Sequence, residues 1–466
     1  MAPGPLVPPL ASHSSATHPL ATHPLATHPL AARLSRLMRG SAALAAMRLC
    51  GAGFGFAAQA LLARIVGAED LGLFYAATSL AIFAGLVAAQ GYPQIAPRFA
   101  ARYREEARQD LFAAFVTRSV RDGLGAALAF GALIAAASLF WPGLPPQTRA
   151  CGVIAGLMVV ATTALTTFTN LAGALRLFGL CYVPEGIVRP ACFLLLVAGL
   201  GLAMPGASGA VVTGLFAGLT GLIAVVQFRL MRRHLPAWRR PRRAERRLAR
   251  RWRAEARSLV LLSLYTNIFA DLGILCVAPF LPPAEVAVFG LCLKLALLVG
   301  YVVQVTQQMA VPDFAEARRA GDLTAMRRIV RRAMRLPTAA TLAALAVVLL
   351  AGEPLLGLFG PEFRQGVPVL AILIGSQLLR ALAGPSAHVL TLTGAQGLNA
   401  RLCVAALTVL VLANLALTPA FGVVGAALAV LASYAAWILG TAVTLRRLGE
   451  IRTDVLALWP ARMAAA

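Results

Sequence analysis

From about residue 40 onward the chain returns repeatedly to charge-poor apolar runs of twenty or more residues. Each is long enough to cross a hydrocarbon core of about 30 Å as a helix, at about 1.5 Å per residue. Lipid leaves no partner for an unpaired backbone N–H or C=O, so only helices and closed barrels span it. These runs lack the apolar/polar alternation of barrel strands. The chain therefore reads as an all-α polytopic membrane protein. Its balance of 59% hydrophobic to 13% charged residues agrees, since a soluble domain is about 25% charged.

Charge-poor windows give about twelve predicted spans, at 41–65, 71–95, 119–141, 151–174, 181–204, 209–229, 258–281, 285–310, 337–359, 366–393, 399–418 and 421–445. Arginines mark every second connection: Arg98, Arg102, Arg104 and Arg108 after the second span, a dense run after the sixth, Arg318 to Arg332 after the eighth, and Arg446 and Arg447 after the twelfth. Basic short loops stay cytoplasmic, so both termini are expected inside, as in the inner membrane of a bacterium. The loops of the other side are short and carry Glu69, Asp70, Glu285, Glu353 and Glu362.

A net charge of +24 and the run RRHLPAWRRPRRAERRLARRWRAEAR at 232–257 would suggest nucleic acid in a soluble chain. Here the run falls between spans six and seven, and no nucleic-acid module accompanies it. It reads as a cytoplasmic linker, 231–257, whose attraction to anionic membrane lipids is sequence-blind and whose Trp238 and Trp252 lie at the interface. Residues 1–40, with three tandem copies of ATHPL, read as a low-complexity tail because Pro recurs too often for a regular helix. Residues 447–466 form a cytoplasmic tail. The seven cysteines are scattered without a C-x-x-C pair, and no Walker A loop, G-x-S-x-G or H-E-x-x-H occurs. No metal or organic cofactor is expected, nor is enzymatic activity.

An internal repeat of about 215 residues organises the rest. GAEDLGLFYAATSLA from Gly67 lies ungapped against PPAEVAVFGLCLKLA from Pro282, pairing Asp70 with Glu285 and Phe74 with Phe289. Pro97, Phe99 and Ala100 match Pro312, Phe314 and Ala315, and GASGA at Gly206 matches GVVGA at Gly422. Six spans return the chain to its starting side, so 41–230 and 258–446 are expected to form two six-helix lobes related as parallel repeats, with substrate at their interface.

Residues 280–335, GEPLLGLFGPEFRQGVPVLAILIGSQLLRALAGPSAHVLTLTG at 352–394, TPAFGVVGAALAVLASY at 418–434, and in the first half ARIVGAEDLGLFYAATSLA and the P-E-G-I-V-R-P run at 184–190 carry a likeness. On them the chain resembles the polysaccharide-type exporters and oligosaccharide flippases of the multidrug/oligosaccharidyl-lipid/polysaccharide superfamily, over roughly residues 40–450. The resemblance implies a two-lobed flippase that carries a polyprenyl-diphosphate-linked oligosaccharide from the cytoplasmic to the outer leaflet. The ATHPL tail has no expected counterpart there.

Polar groups inside spans are costly, about 2.5–3.5 kcal/mol each for Arg, Lys or Asp, and so mark candidate sites. Lys294, Tyr301, Gln304 and Gln308 share one face of span eight, and Asn267 and Asp271 lie one turn apart on span seven. Asp271 and Lys294 lie at similar depth, close enough for a direct pair. Arg48 and Gln59 align on span one, Gln377, Arg380 and His388 on span ten, and Thr163, Thr166, Thr167 and Asn170 on span four. A cationic cavity of Lys294, Arg48, Arg380, Gln304, Asn267 and Gln377 would suit a diphosphate, with Asp271 taking up a coupling H+ or Na+. Simpler readings stand beside these. The threonines can serve packing, Arg48 and Arg380 can snorkel to the interface, and Glu185 and Arg189 can form a local i,i+4 pair. Two further functions are open: a multidrug exporter of the same superfamily, which favours an acidic cavity, and a glycan polymerase or ligase, which needs a long external loop.

Overall fold

Two glycines break long apolar helices where a reversal between neighbouring spans is expected. In the computed structural model, Gly67 (φ 78°, ψ 175°) breaks α1 (Pro29–Ala88), and Gly422 (φ 59°, ψ −137°) breaks α14 (Gln396–Arg447). Both backbones lie in a region that only glycine adopts at little cost. The structure describes residues 29–106, 108–204, 206–235, 245–260, 265 and 269–449, with side chains from Met47 onward apart from Arg48, Leu49, Glu245, Arg246 and Ser258. Contacts group the chain into two units, Met1–Ala46 and Met47–Ala466, and the features below belong to the second.

Between the two broken helices lie α2 (Tyr92–Glu105), α3 (Gln109–Phe140), α4 (Pro146–Ala174), α5 (Phe178–Val183), α6 (Arg189–Ala203), α7 (Gly209–Met231), α8 (Glu245–Ser258), α9 (Phe269–Val277), α10 (Pro283–Arg319), α11 (Leu323–Gly357), α12 (Val367–Leu382) and α13 (Ser386–Leu392). The described residues contain no strand, and nine segments are long and apolar enough to cross a membrane. Two of the nine, Cys50–Glu105 and Gln396–Arg447, carry the glycine breaks. The predicted span 258–281 is described only in part, by α9 and its neighbours. The fold is thus all-α and polytopic, consistent with about twelve crossings. Large apolar side chains face outward, Leu202 and Leu350 being 89% and 88% exposed, as lipid contact requires.

Helices pack mainly within each half, α3 and α7 against α4, and α10, α11, α12 and α14 against one another. Small residues permit close approach. A Cβ on Gly131 would lie 2.4 Å from the Gly156 carbonyl oxygen, so α3 and α4 touch backbone to backbone. On the threonine stripe, Thr163 donates to the Gly85 carbonyl at 3.1 Å and Asn170 donates to its own Thr166 carbonyl at 2.9 Å. Neighbouring Thr162 bonds the Ala81 carbonyl at 3.1 Å. The structure puts these groups to work in packing.

The arginine-rich linker is not a loose strand beside the bilayer. Its second part forms α8, which buries Ala249, Trp252 and Ala256 against α2 and α3. Trp252 is 1% exposed, and its indole N–H donates to the Tyr103 hydroxyl at 2.8 Å amid Phe99 and Phe115. Arg253 reaches Asp122 at 3.3 Å. The expectation that Trp252 lies at the membrane interface is therefore corrected: a ring this apolar is better hidden against the protein when an aromatic cage is available. Trp238 and residues 1–28, which hold all but the last two residues of the ATHPL repeats, lie outside the described residues, and α1 begins at Pro29. Trp252→Ala should cost about 3–5 kcal/mol locally and free α8 from α2. A large gain in protease cleavage within 245–258, with the membrane-spanning core still intact, is the expected readout.

Candidate functional site

The two sequence halves meet where α1, after its break at Gly67, runs beside α10. A Cβ on Gly72 would lie 1.8 Å from the Pro283 carbonyl oxygen, so the helices touch at their tips. One turn further in, the Tyr75 ring occupies the space beside Gly290, where a Cβ would lie 2.6 Å from the ring. At the 215-residue offset Tyr75 corresponds to Gly290 and Ser79 to Lys294. Repeat-related positions therefore face each other here, a large side chain opposite none.

This contact gathers polar groups from both halves. The Lys294 ammonium lies 3.8 Å from the centroid of the Tyr75 ring, a cation–π arrangement. The Tyr75 hydroxyl donates to Gln59 Oε1 at 2.6 Å. The Ser79 hydroxyl donates to Asp271 Oδ1 at 3.0 Å. Among the described residues Asp271 and Lys294 do not form the direct ion pair that their depths suggest; each is held by a partner in the first half instead.

Arg189 follows an irregular stretch of helix. Pro184–Val188 is a π turn in which the Arg189 N–H bonds the Pro184 carbonyl, five residues back. Pro190 has no N–H and its ring would collide with the carbonyl four residues earlier, that of Gly186, so a regular α-helix cannot continue there. The Gly186 carbonyl is covered by the first helix at Gly51, where a Cβ would lie only 1.7 Å away. The Arg189 guanidinium lies 5.8 Å over the Phe216 ring rather than against Glu185. Sequence reading missed Tyr75 and Ser79, and it offered Arg189, which stands between the prolines of the P-E-G-I-V-R-P run, as a local partner of Glu185.

The other predicted residues are dispersed. Gln377 is fully buried against Gly300, within the second half and away from the cross-half cluster. Arg380 is half-buried beside the same glycine, with its Nη1 3.8 Å from the Cβ position. Gln304 is half-buried on α10, about 15 Å beyond Lys294. Gln307, not on the predicted stripe, ties α10 to α12 by donating to the Gly384 carbonyl at 3.0 Å. The side chains of Arg48 and Asn267 lie outside the described residues.

The motifs matched by the repeat also meet within each half. Asp70 accepts a bond from the Gly209 N–H at 2.7 Å, a carboxylate on the first amide of α7. In the second half a Glu285 carboxylate oxygen lies 3.8 Å from the Cβ position of Gly422. The aligned pairs Asp70 with GASGA and Glu285 with GVVGA thus make like contacts.

Fold and site together define a polytopic helical membrane protein whose halves meet at a polar contact that carries Lys294 and Asp271. The description "Polysaccharide biosynthesis protein" fits residues 37–317, more than half of the chain, which belongs to that family. This agrees with the resemblance carried by the quoted motifs. No curated protein matches the sequence. The fold is similar to that of the lipid II flippase MurJ in an inward closed conformation, with TM-score 0.67 and 11% identity over 86% of this chain and 87% of that one. It is also similar to a multidrug resistance MATE family transporter of the MOP superfamily in an inward-facing conformation, with TM-score 0.59 and 16% identity over 87% and 98%. An outward-facing conformation of a MATE transporter gives TM-score 0.50 at 13% identity over 86% and 95%. At such identities the likeness is one of fold.

Proposed function

We propose that this protein is a flippase that moves a polyprenyl-diphosphate-linked oligosaccharide, or a related polysaccharide precursor, from the cytoplasmic to the outer leaflet by alternating access. The observation that carries the reading is the place of the Lys294 ammonium where the halves meet, 3.8 Å from the centroid of the Tyr75 ring, with the Asp271 carboxylate of its own half held by Ser79 of the other. An ammonium held by an aromatic ring rather than by a carboxylate keeps its N–H donors for a diphosphate, and lysine binds phosphate well. Asp271 is the candidate for a coupling H+ or Na+, and Arg380 and Gln304 extend the polar path along the second half. Opening toward the outer leaflet would break the Tyr75–Lys294 and Ser79–Asp271 contacts, so a ligand that engages Lys294 competes directly with closure.

The competing reading, export of cationic drugs, draws on the fold shared with MATE transporters. The basic balance of the charged site candidates inside the predicted spans, Arg48, Lys294 and Arg380 against Asp271, argues against it. In vesicles containing the purified protein, a fluorescent polyprenyl-diphosphate oligosaccharide should gain access to a membrane-impermeant quencher, while a cationic dye should not move. Dye efflux without lipid movement would overturn the proposal. On this reading the protein sits in a bacterial cytoplasmic membrane with both termini and the basic connections on the cytoplasmic side. Reporter fusions within 232–257 and 318–332 should therefore read as cytoplasmic, and fusions near 143–147 and 282–284 as external. Reversal of the two sets would reject that orientation.

A further inference from the structure

We infer that the cleft between α2 and α8 is a binding site for a phosphate-bearing lipid head group, separate from the transport cavity. The cleft holds about 550 Å³ and is lined by Arg98, Phe99, Arg102, Arg251, Glu255 and Leu259. Three guanidiniums from two helices thus line the cleft with a single carboxylate. Glu255 accepts from Arg98 and, at 2.9 Å, from Arg251, while Arg102 donates to Glu106 at 2.8 Å. An arginine presents several N–H donors in a planar fork, so these bonds leave donors for a phosphate. The Arg98, Arg102 and Arg251 side chains are 64%, 53% and 66% exposed, whereas Glu255, which holds Arg98 and Arg251, is 29% exposed.

Depth favours a lipid over a free ion. Residues 71–88 of α1 rise about 27 Å, close to the hydrocarbon thickness, before the turn at Gly91 starts α2. Arg98 and Arg102 thus lie at head-group level, and Phe99 and Leu259 supply an apolar floor beside them. The site is built rather than incidental, because α8 is fixed in place by Trp252 and by the Gly91 backbone against the Ala256 carbonyl, where a Cβ would lie 2.0 Å away. A head group bridging Arg102 of α2 and Arg251 of α8 would tie the linker to the first half. By contrast Arg247, Arg250 and Arg257 of the same helix are exposed and do not line the cleft.

The test compares two triple variants of the full chain in detergent, each losing equal charge: Arg98→Gln/Arg102→Gln/Arg251→Gln and Arg247→Gln/Arg250→Gln/Arg257→Gln. Affinity is read from the thermal midpoint as phosphatidylglycerol, phosphatidylcholine or inorganic pyrophosphate is titrated. The cleft variant should bind phosphatidylglycerol at least tenfold more weakly while the control stays within twofold of wild type. Pyrophosphate should give little shift at matched phosphate concentration; a shift equal to that of the lipid would identify a soluble phosphate as the ligand and overturn the lipid assignment. Equal losses in both variants would reduce the effect to diffuse surface charge and overturn the site. If the cleft variant does not fold, Glu255→Gln decides: removing the competing carboxylate should tighten phosphatidylglycerol binding severalfold, and unchanged or weaker binding overturns the proposal.

Discussion

Lys294→Ala is expected to abolish lipid flipping while protein abundance stays near wild type. Removing a charged hydrogen-bond donor to the diphosphate forfeits about 1.5–3 kcal/mol, which is roughly tenfold to 150-fold in rate if the contact forms in the transition state. Lys294→Arg should retain partial activity, since charge survives but the compact ammonium that fits over the Tyr75 ring does not. The alternative is that Lys294 only offsets the charge of Asp271. In that case Lys294→Ala strands a buried carboxylate, and Lys294→Met with Asp271→Asn should restore flipping. Because each residue is held by its own first-half partner, the double variant is expected to fold and to remain inactive. Full rescue would reduce the pair to structure, and normal flipping by the single variant would remove Lys294 from the site.

The second large effect is expected at Gly72. A Cβ there overlaps the Pro283 backbone oxygen at 1.8 Å, and backbone cannot step aside as a side-chain tip can. Gly72→Val should force the tips of α1 and α10 apart. Transport should fall at least tenfold, and a cysteine placed at Ala284 should react faster with an impermeant thiol reagent added from outside. Gly53→Val is the matched control, because a Cβ at Gly53 meets nothing within 4 Å. If Gly72→Val transports normally with unchanged labelling, the tip contact does not form the closure.

Much of this molecule is legible in its sequence because lipid imposes simple rules. Apolar length marks the spans, and the glycines of the GAED and GVVGA motifs mark the breaks at Gly67 and Gly422. Lys294 and Asp271 stand out because charge inside a span is expensive. What stays hidden depends on neighbours. Glu185 and Arg189 have the spacing of a one-turn pair, but a π turn widens that spacing, and only the placement of Pro190 hints at it. Trp252 in an arginine run suggests an interface, because nothing local reveals that Phe99, Tyr103 and Phe115 converge on it from another segment. Gln377 looks like a ligand by its stripe, yet Gly300 opposite leaves room for it to be buried.

The pairing of Tyr75 with Gly290 also bears on why the two halves are one chain. A dimer of identical halves would set each of these positions against its own copy, Tyr on Tyr or Gly on Gly, since an isologous interface repeats every choice twice. Two rings would collide in the space that now holds one, and two glycines would leave it empty. Covalent fusion lifts that constraint: one half can carry the ring and the other the gap, one the serine and the other the ammonium. The division of labour between Ser79 and Lys294 is available only to a protein whose two faces are free to differ.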